Sequence, residues 1–299
     1  MVKNVIVTNL NTCEKTAKKI AKSIDAVYMK TEVSTFPDGD LYLKFKGDVK
    51  GKKLIIVESF QPNSTKAMMD IVFASNAAKQ QGAKKVVVCA PYLAFMRQDK
   101  MFNAGECVSA PIMAKLFNEN VDKLLTVDPH LHRILKMKDV FTIPAKNLTA
   151  NQVIGDFVAK KYKAKKNLMI MGPDWESYQW ADEIARIVGV EDTVLHKDRH
   201  SSRNVDVKLT EKVDLKGKTI VIVDDIISTG NTMIKACIKS RKLGAKKVIA
   251  IGVHGLFVEN AFKKMEKHFD DIFTVNTVQH DSNKIDVADV FIEELSKRI

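Results

Sequence analysis

Two rhythms of polar and apolar positions run through this chain. Short unbroken apolar runs stop abruptly on polar residues, and longer segments carry apolar residues three and four apart. The first rhythm predicts strands buried on both faces, and the second predicts helices with one buried stripe. Lys3 to Thr8 reads as the first strand, and Cys13 to Ser23 as a helix with Ala17, Ile20, Ala21 and Ile24 on one side. Val27–Met29 and Leu41–Phe45 are strand candidates around a Pro-Asp-Gly turn, a sequence that hairpin chemistry explains without further function. Lys123–Val127, Leu168–Met171 and Ile220–Val223 are buried strands halted by polar groups, and Asn151–Lys161 is a helix. The tail is a short amphipathic helix with Val287, Val290, Phe291 and Leu295 on its apolar side. Lys197 to Lys208 shows no clear period and predicts a mobile, charged excursion.

One pattern occurs twice. Lys50 to Tyr92 and Lys216 to Gly255 share the order Lys-Gly-Lys, buried strand, Ser/Thr-bearing loop, long helix, Gly-Ala-Lys-Lys, buried strand. Each copy is a βαβ unit, which implies parallel strands joined by a right-handed crossover. Their separation of about one domain length suggests a tandem duplication, with a boundary near Pro144 to Thr149.

Length and composition agree with two ordinary globular domains: 299 residues, 45% apolar, little Gly or Pro. Cys13, Cys89, Cys107 and Cys237 are far apart with no C-x-x-C pair, so reduced thiols are expected rather than ligands or disulfides. The opening apolar run is too short for a signal peptide, and no stretch approaches membrane-spanning length; a cytoplasmic protein without membrane contact is expected. The net charge of +12 is spread as Lys-Lys pairs rather than gathered with aromatics on one stripe, so it predicts a solvated surface and no nucleic-acid partner.

Candidate chemistry concentrates after Ile220–Val223. That run meets Asp224 and Asp225, then Ser228, Thr229, Gly230, Asn231 and Thr232, with a helix starting at about Thr232. Hydroxyls, backbone N–H groups and a helix N-terminus can hold a phosphate, while carboxylates at a strand's carboxyl end can accept from sugar hydroxyls or position a hydrated cation. A plain capped turn would explain the Ser and Thr alone, but two adjacent carboxylates at a buried strand's end call for a ligand. In the first copy the same positions are Glu58 and Ser59, and the loop after them lacks glycine; that half is expected to hold no sugar phosphate.

The stretch VDDIISTGNT resembles the phosphoribosyl-diphosphate (PRPP) loop of type I phosphoribosyltransferase-fold proteins. Together with FPDGD (Phe36–Asp40), APYLAFMRQDK (Ala90–Lys100), VDPHLHR (Val127–Arg133), GPD (Gly172–Asp174) and KDR (Lys197–Arg199), in this order and spacing, the chain resembles the ribose-phosphate pyrophosphokinase family over nearly its whole length. The resemblance implies an α/β fold of two tandem type I phosphoribosyltransferase-like domains, each a mostly parallel sheet flanked by helices, spanning 1–146 and 147–284. A C-terminal helix (285–299) is expected to pack back on the first domain. It further implies Mg²⁺-dependent transfer of the diphosphoryl group of ATP to the anomeric hydroxyl of ribose 5-phosphate, giving PRPP and AMP.

Residue by residue, Lys197 and Arg199 match the family's catalytic pair. Phe36, Asp38, Asp40, Arg97 and Gln98 match ATP-binding positions, and His130 with Asp174 the metal ligands; Asp128 is a less certain neighbour. Asp224, Asp225 and Ser228 to Thr232 match the ribose 5-phosphate site. Because the family's adenine loop serves a neighbouring subunit, a homo-oligomer is implied, dimer-based, with a hexamer and a smaller assembly both left open. Ser228 stands for the usual Asp, Asn231 for a small residue, Asp40 for the usual Glu, and Trp175 with Glu176 for small residues. Two other readings compete: a phosphoribosyltransferase that consumes PRPP, against which the FPDGD and RQDK segments speak, and a non-catalytic regulatory homologue, against which Lys197, Arg199, His130, Asp224 and Asp225 speak.

Overall fold

The structure, a computed structural model, describes residues 4–131, 136–162, 165–199, 205–209 and 214–297. Lys3, His132 and Arg133 lie outside the described residues. In chain order the elements are β1 (Val5–Asn9), α1 (Glu14–Ser23), β2 (Val27–Tyr28), β3 (Thr31–Thr35), β4 (Leu41–Phe45), β5 (Lys53–Val57), α2 (Ser64–Gln80), β6 (Lys85–Ala90), α3 (Ser109–Asn120), β7 (Lys123–Val127) and β8 (Ala145–Leu148). They continue as α4 (Asn151–Lys161), β9 (Leu168–Gly172), α5 (Tyr178–Val188), β10 (Glu191–Arg199), β11 (Val205–Leu209), β12 (Thr219–Ile227), α6 (Asn231–Lys242), β13 (Lys247–Gly255), α7 (Ala261–Met265), β14 (Asp271–Val275), β15 (Asn283–Ile285) and α8 (Ala288–Ser296).

The chain forms two compact units, one of Met1–Thr149, Thr277–Gln279 and Val287–Ile299, the other of Ala150–Asn276 and His280–Asp286. In the first, a parallel sheet runs β2-β1-β5-β6-β7-β8, and β3 and β4 form a separate antiparallel hairpin. Its central strands carry the unbroken apolar runs: Leu54 to Val57, Val86 to Ala90 and Leu124 to Leu125 are wholly buried. Full burial of each such side chain contributes about 1.5–3 kcal/mol, so these runs dominate the core. α1 lays Ala17, Ile20 and Ala21 on the sheet as its spacing predicts. α8 packs on α1, and its Glu294, only 3% exposed, accepts from Lys123 (3.4 Å) and Lys146 (2.6 Å) on β7 and β8.

The second unit has the order β11-β10-β9-β12-β13-β14-β15, parallel except for the β10–β11 pair. Ile220, Val221 and Ile222 at 0% and Val223 at 1% exposure form its centre. Two sequence expectations change here. β12 does not stop at its carboxylates but runs on to Ile227, because β13 continues beside it and pairs Asp224 with Gly252, Ile226 with His254 and Ile227 with Gly255. Lys197 to Lys208 is not an irregular excursion at its two ends: residues 195–199 and 205–209 pair as antiparallel strands, extending β10 past its partner β9. Backbone hydrogen bonding replaces the missing apolar period there. No helix among the described residues is long and apolar enough to cross a membrane.

Candidate functional site

Parallel strands point their carboxyl ends to one edge, so the second unit gathers its candidate residues by topology alone. β9 delivers Asp174 two residues beyond Gly172, and the adjacent β12 delivers Asp224 and Asp225. β10 pairs with β9 only as far as Val194 opposite Gly172; from there its backbone runs on past the same edge, with Lys197 opposite Val207 and Arg199 opposite Val205 on β11. Lys197 therefore stands three residues, on the order of 10 Å of strand, beyond the point where β10 leaves the sheet.

The carboxylates are held by short-range bonds. Asp224 accepts from the N–H of Asp225 (3.1 Å), and Asp225, 5% exposed, accepts from the N–H of Ile226 (2.7 Å). Desolvation, then the charges of Asp225 and Asp174, push the Asp224 carboxyl well above the ordinary carboxylate range. Such a like-charge group is stabilised by a bound cation or by hydroxyl donors. Asp174 is fixed by Ser177, which is buried: Ser177 N–H and Oγ both meet Asp174 Oδ1 (3.3 and 3.1 Å), and Asp174 N–H donates to Ser177 Oγ (3.2 Å). Ser177 escaped the sequence reading, although the Asp-x-x-Ser spacing before a helix was its signal. Trp175, 60% exposed, stacks on Tyr178 with ring centroids 5.4 Å apart.

Ser228 and Thr229 bend away from β12, and Gly230 precedes α6 with φ +72°. A Cβ at Gly230 would stand 2.8 Å from Met265 Sδ and 3.0 Å from Met265 Cγ, so α7 closes against the loop and only glycine suits both the angle and the space. Asn231 and Thr232 open α6, whose first N–H groups face the same loop. Met265 left no sequence signal, since its contact is tertiary.

In the first unit, Arg97 and Gln98 follow β6 and His130 follows β7, at the carboxyl ends of neighbouring strands. Arg97 is exposed; Gln98 and His130 are half-buried. Asp128, buried and with φ +38°, donates its N–H to Leu148 O (2.9 Å). Phe36, Asp38 and Asp40 belong instead to the turn of the separate β3–β4 hairpin. There Phe36 N–H donates to Asp40 O (2.8 Å), Asp40 N–H to Asp38 Oδ1 (3.2 Å), and Gly39 adopts φ +97°. Phe36 stays 49% exposed with its ring edge-on to Tyr42 at 5.4 Å.

Among the described residues no three His, Cys, Asp or Glu side chains form a ready metal cage. Asp174, Asp224 and Asp225 nevertheless place hard oxygen acceptors at one edge, chemistry that suits a hydrated divalent cation as well as sugar hydroxyls.

Comparison with known proteins agrees with this architecture. The profile of the N-terminal domain of ribose phosphate pyrophosphokinase matches residues 5–120, and that of the phosphoribosyl transferase domain matches residues 144–291. The ribose-phosphate pyrophosphokinase of Methanopyrus kandleri is 34% identical over 92% of this chain and 92% of its own. That of Pyrococcus furiosus is 33% identical over 86% of this chain and 89% of its own. The crystal structure of phosphoribosylpyrophosphate synthetase from Mycobacterium smegmatis has the same fold, with a TM-score of 0.84 over 98% of both chains at 23% identity.

Proposed function

Because the chain belongs to the ribose-phosphate pyrophosphokinase family, and so is a transferase that forms PRPP, we propose how its residues divide the work of moving a diphosphoryl group from ATP to ribose 5-phosphate. The observation that carries this reading is the carboxyl edge of the second unit, where an anion loop, three carboxylates and the prolonged β10 meet.

The 5-phosphate lies against Ser228 to Thr232, where hydroxyls and the first N–H groups of α6 neutralise it. Asp224 and Asp225 accept from the ribose hydroxyls. Their mutual repulsion falls as those donors arrive. This fixes the anomeric hydroxyl for in-line attack on the β-phosphorus. The bond from that oxygen to phosphorus forms as the bond to the AMP oxygen breaks. Lys197 and Arg199 supply positive charge to the transferred group and the departing phosphate as charge spreads over them. Arg97 and Gln98 hold the nucleotide's phosphate and sugar, and Phe36 stacks on adenine while Asp38 and Asp40 accept from its amino group.

His130 in the first unit and Asp174 in the second are each proposed as Mg²⁺ ligands, and Mg²⁺ when bound would supply charge neutralisation on the nucleotide's phosphates. Ser177 keeps Asp174 turned to its place. The exposed hairpin turn suits a nucleotide shared with a second copy of the chain, so a dimer-based homo-oligomer working in the cytoplasm completes the reading. The test is product analysis with protein, Mg²⁺, ATP and ribose 5-phosphate. AMP and PRPP in equal amounts are expected, whereas ADP, or no turnover, would overturn the reading.

A further inference from the structure

The two halves of the duplication can be aligned by their strand registers. Lys53 pairs with Val5 and Thr219 with Leu168, each directly after a Lys-Gly-Lys, so Glu58 in the first half occupies the place of Asp224 in the second. By the same register Asn11 occupies the place of Asp174, on the loop that follows the neighbouring strand. The second half thus sets carboxylate beside carboxylate, and the first sets a longer carboxylate beside an amide.

That exchange has a structural result. Glu58, 1% exposed, reaches across from β5 into the loop between β1 and α1. There it accepts from three successive backbone N–H groups: Leu10 (3.1 Å to Oε2), Asn11 (3.2 and 3.1 Å to the two oxygens) and Thr12 (3.1 Å to each). Successive N–H groups converging before a helix form an anion-binding concavity. The surrounding contacts lock the arrangement. Thr12 Oγ1 accepts from Ser59 N–H (3.0 Å), Ser59 Oγ donates to Thr277 O (2.7 Å), and Asn11 Nδ2 donates to Asp70 (2.5 Å), which Lys66 also meets (2.6 Å). In the second half Asp224, one methylene shorter, bonds its own neighbour's N–H instead of the facing loop.

We propose that the β1–α1 loop is an oxyanion site of the carboxylate and phosphate class, occupied in cis by Glu58, and that this self-ligation is what closes this loop to free anions. The proposal stands apart from the catalytic reading, since neither Glu58 nor the loop is assigned a part in it. The charged and titratable groups around the carboxylate are Cys13 on α1's border and, through Asn11, Asp70 with Lys66 on α2. Burial drives the Glu58 carboxyl up to about 7 against the pull of the N–H donors, so the test belongs at pH 8, where it is ionised.

The test uses the full chain and thermal unfolding in formate, acetate or phosphate against chloride at matched ionic strength. Glu58→Gly should lower Tm by roughly 5 °C or more. Formate or acetate should restore part of that loss along a saturating curve, with no comparable gain in the wild type. Glu58→Gln fills the space but turns an amide N–H towards the loop's donors, so it should be destabilised and gain nothing from the anions. Should Glu58→Gly fail to fold, amide exchange in Glu58→Gln decides: Leu10, Asn11 and Thr12 should exchange at least tenfold faster than in the wild type, while β5 and β6 are unchanged. A Glu58→Gly protein indifferent to carboxylate and phosphate anions, or a Glu58→Gln protein with wild-type Tm and wild-type exchange at those three amides, would overturn the proposal.

Discussion

Gly230→Ala is the sharpest small perturbation of the proposed pentose-phosphate loop. The residue sits at φ +72°, where an L side chain costs on the order of 1–2 kcal/mol. The new Cβ would meet Met265 at 2.8 Å (Sδ) and 3.0 Å (Cγ), and Ala261 Cβ at 3.6 Å. Met265 is wholly buried among Met233, Ala236 and Phe269, so its thioether has little room to turn away. The loop escapes the strain by leaving the conformation that aims its N–H groups at the phosphate, and binding must then restore it. A strain of about 1–2 kcal/mol corresponds to a rise of roughly 5- to 30-fold in KM for ribose 5-phosphate. KM for ATP should stay near its wild-type value. Initial rates with each substrate varied in turn measure both. Adding Met265→Ala should recover only part of the loss, because it removes the clash and leaves the angle. An unchanged KM for the sugar phosphate, or an equal rise for both substrates, would refute the assignment of the loop.

Other expectations follow from the same geometry. Lys197→Ala should lower kcat by about 10²–10³ with nucleotide affinity largely kept, read by steady-state rates and equilibrium ATP binding; equal losses in both would contradict its role. Asp224→Asn relieves a like-charge group, so it should raise the stability of the ligand-free protein on the order of 1 kcal/mol while lowering kcat/KM roughly 10- to 100-fold. Because the folded state holds the Asp224 proton above the unfolded value of 3.8, this group's contribution falls as pH rises from about that value through its folded pKa. The wild-type-minus-variant Tm difference should follow that slope. Glu294 behaves oppositely. Burial raises its carboxyl, but Lys146 and Lys123 together hold it below its ordinary 4.5, so its stabilisation is present above that value and is lost as pH falls through the lower folded one. Glu294→Ala leaves Lys123 facing a vacated position while Lys146, 46% exposed, turns to solvent, and unfolding at pH 7 should show a loss of roughly 1–3 kcal/mol.

The fold was readable wherever burial on both faces writes itself as an unbroken apolar run. Ile220 to Val223 and Lys123 to Val127 are central strands for that reason, and the Lys-Gly-Lys repeat announced both crossovers. Reading failed where hydrogen bonding or distant packing decides. Asp224 and Asp225 interrupt the apolar run, yet β13 carries β12 two residues beyond them in register. Thr31–Thr35 is too polar to announce the strand that pairs with β4. The hydrophilic residues of β10 and β11 hid a hairpin that only its own ladder reveals. Within the proposed site, Asp224 and its loop were legible from residue types alone, since a paired carboxylate at a strand end demands a reason. Ser177, Met265 and the bonded state of Glu58 were not, because each depends on a neighbour brought in by the fold. Glu294 is the clearest case: its lysines lie 148 and 171 residues away.

In the proposed mechanism the edge formed by Asp224, Asp225 and Ser228 to Thr232 grips a phosphorylated pentose. Crystals soaked with ribose 5-phosphate measure this directly. The 5-phosphate is expected against the amides opening α6, with the sugar hydroxyls within hydrogen-bond distance of Asp224 and Asp225. Density for the sugar phosphate anywhere else, with that edge left bare, would contradict it.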